Sequence, residues 1–262
     1  MDEYDSTNRN GLKVHIQVDT PDNPEGLVFI AHGQKGSLGQ VHIQAFADAF
    51  LANNFRVVRF DATHALGKSD GDVQGVTYDT YISDLEDVIE WAKTQEWYQE
   101  PFALCGHSMG AQSTTWYAEH HPEKVNLLAS MAPVINYALW SVTIDNNELA
   151  EWQRVGYQES MSKSKGISVR VGWQVNESLK KFDLLPLAAK LTMPVAIIVG
   201  DLDKPCPPRH QQVLLDAIAG NNTTLRIIKN SEHSYRNAQT DEYAEEVDEM
   251  KRTLYEWISI NR

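Results

Sequence analysis

The stretch FALCGHSMGAQS, Phe102 to Ser113, runs a short apolar segment into a serine flanked by Gly106 and Gly110, and then into good helix formers. A continuous apolar run of this length ending in glycine suits a strand buried on both faces. Such a strand needs neighbours of its own kind and helices above and below them. The rest of the chain supplies both. GLVFIAHG (26–33), FRVVRFDA (55–62), VNLLASMAP (125–133), PVAIIVG (194–200) and TLRIIKN (224–230) read as further strands. Between them, VHIQAFADAFLANN (41–54) places Ile43, Phe46, Ala47 and Phe50 at helical spacing, and YISDLEDVIEWAK (81–93) does the same with Ile82, Leu85, Ile89 and Ala92. A helix from about Gly110 to Glu119, another over PRHQQVLLDAIAG (208–220), and a last one carrying Tyr243, Val247, Met250, Leu254 and Trp257 on one face complete the series. Strand–helix alternation of this kind predicts an α/β fold, a mostly parallel twisted sheet with helices on both faces.

One region breaks the rhythm. Between Pro133 and about Leu185 the alternation lapses, and Trp140, Trp152 and Trp173 stand among polar residues. The segment is too long for a plain connection. It reads either as a surface excursion with a satellite core or as a cap over a pocket, and aromatic-rich insertions tend to line apolar sites. The chain is accordingly divided into a core of residues 1–133 and 186–262 and a small cap insertion, residues 134–185.

At 262 residues and 42% hydrophobic composition the chain can bury a full core. Its formal net charge of -13 argues against nucleic acid or an anionic membrane as a partner, because phosphates would repel it. No apolar run approaches the length of a membrane span, and the acidic start MDEYDSTNRNG is not a signal peptide. With only Cys105 and Cys206, no disulfide framework is expected, and a reducing cytoplasm is the default location. Oligomeric state is left open, and so is the order of the poorly patterned residues 1–11.

Gly106-His107-Ser108-Met109-Gly110 fits the G-x-S-x-G pattern of a nucleophile elbow, in which a sharp strand-to-helix turn forces a serine into a strained conformation and exposes its Oγ. The flanking glycines remove Cβ atoms where strand and helix nearly touch, and the helix N-terminus favours developing negative charge. A nucleophilic serine needs a base and an acid that orients the base. In an open parallel sheet such groups gather at the carboxyl ends of strands. Asp201 and Asp203 follow the strand 194–200, and His233 follows the strand 224–230. Ser108, Asp203 and His233 then occur in the chain order expected of this arrangement, with Asp201 as the alternative acid. An oxyanion hole needs backbone N–H donors. Met109, the residue after the nucleophile, offers one, and Gln34 in the loop HGQKGS (32–37) offers the second. The chemistry asks for no metal or organic cofactor. The adjacent His120 and His121 do not present ligands on one helix face as a zinc helix would.

With AHGQKGS, CGHSMG, VGDLDKPCPP and SEHS in these positions, the chain resembles the α/β-hydrolases, from about Gly26 to its C-terminus. Within them it is most similar to small intracellular cinnamoyl (feruloyl) esterases, through its HG loop, RFDATHALGKSDGD (59–72) and KFDLLPLAAKLTMPVAIIVGDLD (181–203). The resemblance implies an α/β-hydrolase fold and a serine carboxylesterase acting on a small-molecule ester through an acyl-enzyme. It also selects Asp203, three residues after Gly200, over Asp201. Where that family has Arg-Gly after the FD pair this chain has Thr63-His64, which makes His64 a candidate pocket residue beside His32, Tyr137, Trp140, Trp152 and Trp173. The same triad would serve a thioesterase, a lactonase or a carbon–carbon bond hydrolase, and a ligand-binding protein on a hydrolase fold is the reading from another class.

Overall fold

Period-two burial builds the sheet. In Gly26–Ala31, Leu27, Phe29 and Ala31 enter one apolar cluster while Val28 and Ile30 enter another on the opposite face. Phe102–His107 and Val195–Gly200 divide in the same way, which is the signature of strands covered on both sides. The structure, a computed structural model, describes residues 1–162, 165–218, 220 and 222–262.

In chain order the strands are β1 (Asp2–Thr7), β2 (Lys13–Asp19), β3 (Gly26–Ala31), β4 (Phe55–Phe60), β5 (Phe102–His107), β6 (Val125–Met131), β7 (Tyr157–Ser162), β8 (Ile167–Gly172), β9 (Val195–Gly200) and β10 (Thr223–Ile228). The helices are α1 (Val41–Leu51), α2 (Tyr78–Ala92), α3 (Met109–His120), α4 (Tyr137–Ser141), α5 (Asn146–Val155), α6 (Gln174–Leu179), α7 (Pro208–Ala217) and α8 (Glu245–Asn261). Among the described residues, eight strands form one sheet in the order β1-β2-β4-β3-β5-β6-β9-β10. From β4 to β10 the pairings are parallel, and β1 and β2 add an antiparallel edge. This is the mostly parallel sheet that the alternation predicts, in the α/β-hydrolase form that the resemblance implies.

α1 and α8 cover one face through Ile43, Phe46 and Phe50 and through Val247, Met250, Leu254 and Trp257. α2, α3 and α7 cover the other. α2 starts on a reciprocal capping box between Thr77 and Thr80. One expectation is corrected here: Tyr243 precedes α8 rather than belonging to its apolar stripe. Residues 2–7, whose order the sequence leaves open, form an edge strand. The helix expected over 208–220 ends at Ala217, and Ala219 lies outside the described residues.

Between β6 and β9 the chain leaves the sheet for α4, α5, the antiparallel β7–β8 hairpin and α6. The ends of this excursion meet at its base, where Leu184 N–H donates to Ile135 O (3.1 Å) and Asn136 Nδ2 donates to Asp183 Oδ1 (3.0 Å). Trp152 is 5% exposed and donates its Nε1–H to Val171 O at 3.0 Å, so α5 is pinned to the hairpin. A chain of rings runs Tyr137–Trp140–Trp152–Trp173. Residues 163 and 164 of this segment lie outside the described residues.

α3 carries one uncompensated carboxylate. Glu119 is 0% exposed, and neither of its carboxyl oxygens has a hydrogen-bond partner among the described residues. Burial, with the Asp183 charge adding to it, pushes its pKa from the ordinary 4.5 to about 9. Between those values the folded chain keeps a proton that the unfolded chain has released. Stability must therefore fall as pH rises through that window, by up to about 1.4 kcal/mol per pH unit. Glu119→Gln is expected to flatten the slope of unfolding free energy between pH 5 and 9, read from denaturant midpoints at each pH.

Candidate active site

β5 ends at His107 and α3 begins at Met109, so Ser108 alone carries the reversal. Its backbone sits at φ 56° and ψ -117°, a region that L residues rarely adopt. The conformation is held by Ser108 N–H donating to Met131 O and by Gln112 N–H donating to Ser108 O, both at 2.9 Å. The flanking glycines have separate steric reasons. A Cβ on Gly106 would run into the Gly110 carbonyl and the Thr114 hydroxyl, and one on Gly110 would run into the Ala31 and His32 carbonyls at the end of β3. Gly106→Ala is expected to cost stability at the upper end of the ~1–3 kcal/mol typical of overpacking, because its two nearest neighbours are backbone atoms of Gly110. A lowered denaturant midpoint measures it.

Three loops at the carboxyl edge of the sheet converge on this serine. His233 Nε2 lies 2.9 Å from Ser108 Oγ, and its Nδ1 lies 2.7 Å from Asp203 Oδ2. Asp203 is 3% exposed, and its other oxygen accepts Cys206 N–H at 2.7 Å. Asp201 faces elsewhere. It is exposed, and its Oδ1 accepts Ser231 N–H at 3.1 Å, bracing the loop that carries the histidine. That loop is fixed twice more. Tyr235 donates its hydroxyl to Ile198 O (2.8 Å), and His107 donates Nε2–H to the His233 carbonyl (2.8 Å). Burial, reinforced by neighbouring His42 and His233, pushes the His107 pKa well below the usual histidine range, so it remains a neutral donor.

Met109 N–H opens a helix, where the first N–H groups have no intrahelical acceptor. Gln34 N–H has no acceptor among the described residues. Gly33 brings this loop against the serine, since a Cβ there would stand 3.1 Å from Ser108 Cβ. Gln34 and Met109 line the same cavity as Ser108. Asp203, Cys206 and His233 have potential metal-donor atoms within 4.8 Å of one another. Asp203 and His233 are already hydrogen-bonded to one another through Oδ2 and Nδ1 at 2.7 Å.

The cavity above Ser108 measures about 280 Å³ and is lined by Trp140 and Trp152 together with Gln34 and Met109. The other expected pocket residues lie outside its wall. His32 is 1% exposed and committed to the backbone, with Nδ1–H on Gly33 O (2.8 Å) and Nε2 accepting Ala62 N–H (3.0 Å). It fixes the Gln34 loop against the end of β4. His64 adopts φ 60°, bonds Asp72 O through Nδ1 and packs over Gly71 and Gly75, closing its own loop. Tyr137 and Trp173 sit further along the ring chain, each beneath the Lys180 ammonium. Pattern reading missed Lys35, Tyr78, Gln158 and Lys204, which also line the cavity. They come from four separate segments, and only Lys35 and Lys204 had a local signal, being next to Gln34 and Asp203.

Among the described residues no helix is long and apolar enough to cross a membrane. A family model described as serine aminopeptidase, S33, matches residues 22–155. A monoacylglycerol lipase from Mycolicibacterium smegmatis is 23% identical, the match covering 90% of this chain and 91% of the lipase. Among solved structures, the ferulic acid complex of Est1E from Butyrivibrio proteoclasticus superposes with a TM-score of 0.77 at 19% identity, covering 96% of both chains. A hydrolase structure from Agrobacterium vitis gives 0.79 at 17% identity over 98% of both chains. The match takes in β3 through α5, and with it the serine turn that the sheet and the glycine contacts define. The chain belongs to the serine aminopeptidase S33 family, and its fold is that of an α/β-hydrolase.

Proposed function

We propose that the chain hydrolyses carboxylic esters through an acyl-enzyme on Ser108. His233 Nε2 takes the hydroxyl proton as Oγ attacks the ester carbonyl, and the Gln34 and Met109 N–H groups hold the oxyanion. The carbonyl re-forms as the alcohol leaves with the proton from His233. Water, deprotonated by the same imidazole, then attacks the acyl carbon, and collapse releases the acid and restores the serine. Asp203 accepts Nδ1–H, keeps Nε2 free as the base, and stabilises the imidazolium that forms in each half. The observation that carries the reading is the unbroken chain from Ser108 Oγ through His233 to buried Asp203, at 2.9 and 2.7 Å.

Substrates with a small aromatic or short acyl group are proposed. A cavity of about 280 Å³ lies just below the roughly 300–1,000 Å³ of ligand sites in proteins, and Tyr78, Trp140 and Trp152 give it flat apolar walls. Residues 134–185, which supply two of those rings, are proposed to act as the cap that selects the acid. Est1E, solved with ferulic acid bound, supports a hydroxycinnamate among the candidates. Peptide release from a free N-terminus, suggested by the family description, is disfavoured. A terminal ammonium needs a carboxylate, and among the described residues this wall offers none while it carries the lysines Lys35 and Lys204.

Rates on 4-nitrophenyl acetate and butyrate, a thioester, a lactone and methyl hydroxycinnamates test the reading. Turnover of the oxygen esters well above that of the thioester and lactone is expected. Failure to turn over any ester would overturn it.

A further inference from the structure

The chain holds 36 Asp and Glu against 23 Lys and Arg, yet the wall above Ser108 carries Lys35 and Lys204 and, among the described residues, no carboxylate. Several exposed or half-buried lysines pair with acids, Lys68 with Glu3, Lys180 with Glu177, Lys181 with Asp79 and Lys251 with Asp48. Lys35 does not. Its ammonium donates to Ser160 Oγ on β7 at 2.6 Å, which leaves N–H groups to spare. Among the described residues it forms no ion pair, and it is half-buried. Burial pushes its pKa down, with no neighbouring acid to restore it. A partly buried cation without a counter-ion is costly.

The placement of this cation is specific. Lys35 directly follows Gln34, and a left-handed backbone at φ 57° sets its direction. It forms part of two walls at once. One encloses the Ser108 cavity. The other encloses a neighbouring space of about 260 Å³ shared with Arg236, whose guanidinium lies 4.5 Å from the Tyr243 ring centre and pairs with Asp241 at 3.6 Å. That second wall also lacks acidic residues among those described. Lys204, exposed and next to Asp203, closes the first cavity from the histidine side. Cations from two loops, Lys35 and Lys204, therefore border the serine cavity in an otherwise anionic molecule. The unmet need is a negative charge, and a substrate can bring it.

We propose that the ester accepted at Ser108 bears a carboxylate, which Lys35 binds directly and Lys204 attracts. The substrate class is then a half-ester of a dicarboxylic acid or an ester of a hydroxy acid. This rests on the esterase reading above and narrows it. Charge-assisted contact to a poorly solvated ammonium is strong and directional, and attraction from an exposed lysine is weaker and screened by salt.

The test compares kcat/KM on matched esters, with the anion placed on either side of the scissile bond. The 4-nitrophenyl monoester of glutaric acid is set against 4-nitrophenyl butyrate, and 4-acetoxybenzoate against phenyl acetate. The wild type is expected to favour the anionic member of at least one pair by about tenfold, mostly through KM. Raising NaCl from about 0.05 to about 0.5 M should erode that preference. Lys35→Met should bring the ratio to about one, and Lys35→Arg should keep most of it. If Lys35 only tied the β7–β8 hairpin to the loop, Lys35→Met would slow both members alike, and an unmoved ratio overturns the proposal. So does a wild type that hydrolyses neutral esters with no preference in either pair, while leaving the esterase reading intact. Loss of all ester turnover, with Ser108 inert to acylating probes, overturns both.

Discussion

Ser108→Ala is expected to lower kcat/KM on every ester the protein accepts by at least about 10⁴-fold, with the fold and thermal midpoint little changed. Alanine removes only Oγ, and the turn at φ 56° is held by backbone bonds from Ser108 and Gln112 that alanine keeps. What remains is the background from the Gln34 and Met109 donors acting on a water attack. The comparison is direct, because stopped assays at matched concentration need only the two proteins and one chromogenic ester. A residual rate within tenfold of the wild type would place the nucleophile elsewhere.

The two aspartates after β9 give the second large effect. Asp203→Asn is expected to cost about 10⁴-fold in kcat, whereas Asp201→Asn should cost no more than a few-fold. An asparagine at 203 can donate to Nδ1 as well as accept from it. It therefore permits the tautomer with the proton on Nε2, which cannot act as base towards Ser108. It also withdraws the charge that stabilises the imidazolium. Asp201 touches neither ring nitrogen. Its bond to Ser231 N–H steadies the histidine loop, and the amide oxygen of asparagine can accept that same bond. Equal losses in the two variants would refute this division of labour. Since Asp203 is buried and also holds Cys206 N–H, the assay should be paired with a thermal midpoint, so that misfolding is not read as lost catalysis.

Much of this was legible before any coordinates. Strands buried on both faces leave continuous apolar runs, which is why β3, β5 and β9 stood out, and the serine turn announced itself because two glycines are needed for independent collisions. His233 and the pair Asp201 and Asp203 are legible because a parallel sheet gathers strand ends at one edge, and the choice of Asp203 comes from the family resemblance. The signal failed where the fold depends on less hydrophobic patterning. β1 is an edge strand written DEYDST and exposed along most of its length, so it has no apolar period to read. β2 carries Val14, Ile16 and Val18 in alternation, a pattern present in the sequence but interrupted by polar partners. The cavity wall was harder still. Trp140 and Trp152 were singled out with Trp173 and Tyr137, yet only register along the ring chain decides which of the four face the serine. His32 and His64 are candidate pocket residues from the sequence, and both are spent on backbone groups instead, His32 on Gly33 O and on Ala62 N–H after β4, and His64 on Asp72 O.

The most direct measurement is mass spectrometry of the protein after reaction with a fluorophosphonate. Serine catalysis at this turn predicts one adduct per chain, on the peptide containing Ser108, absent from Ser108→Ala and much slowed in His233→Ala. No adduct under conditions that label a known serine esterase, or an adduct on another residue that persists in Ser108→Ala, would contradict it.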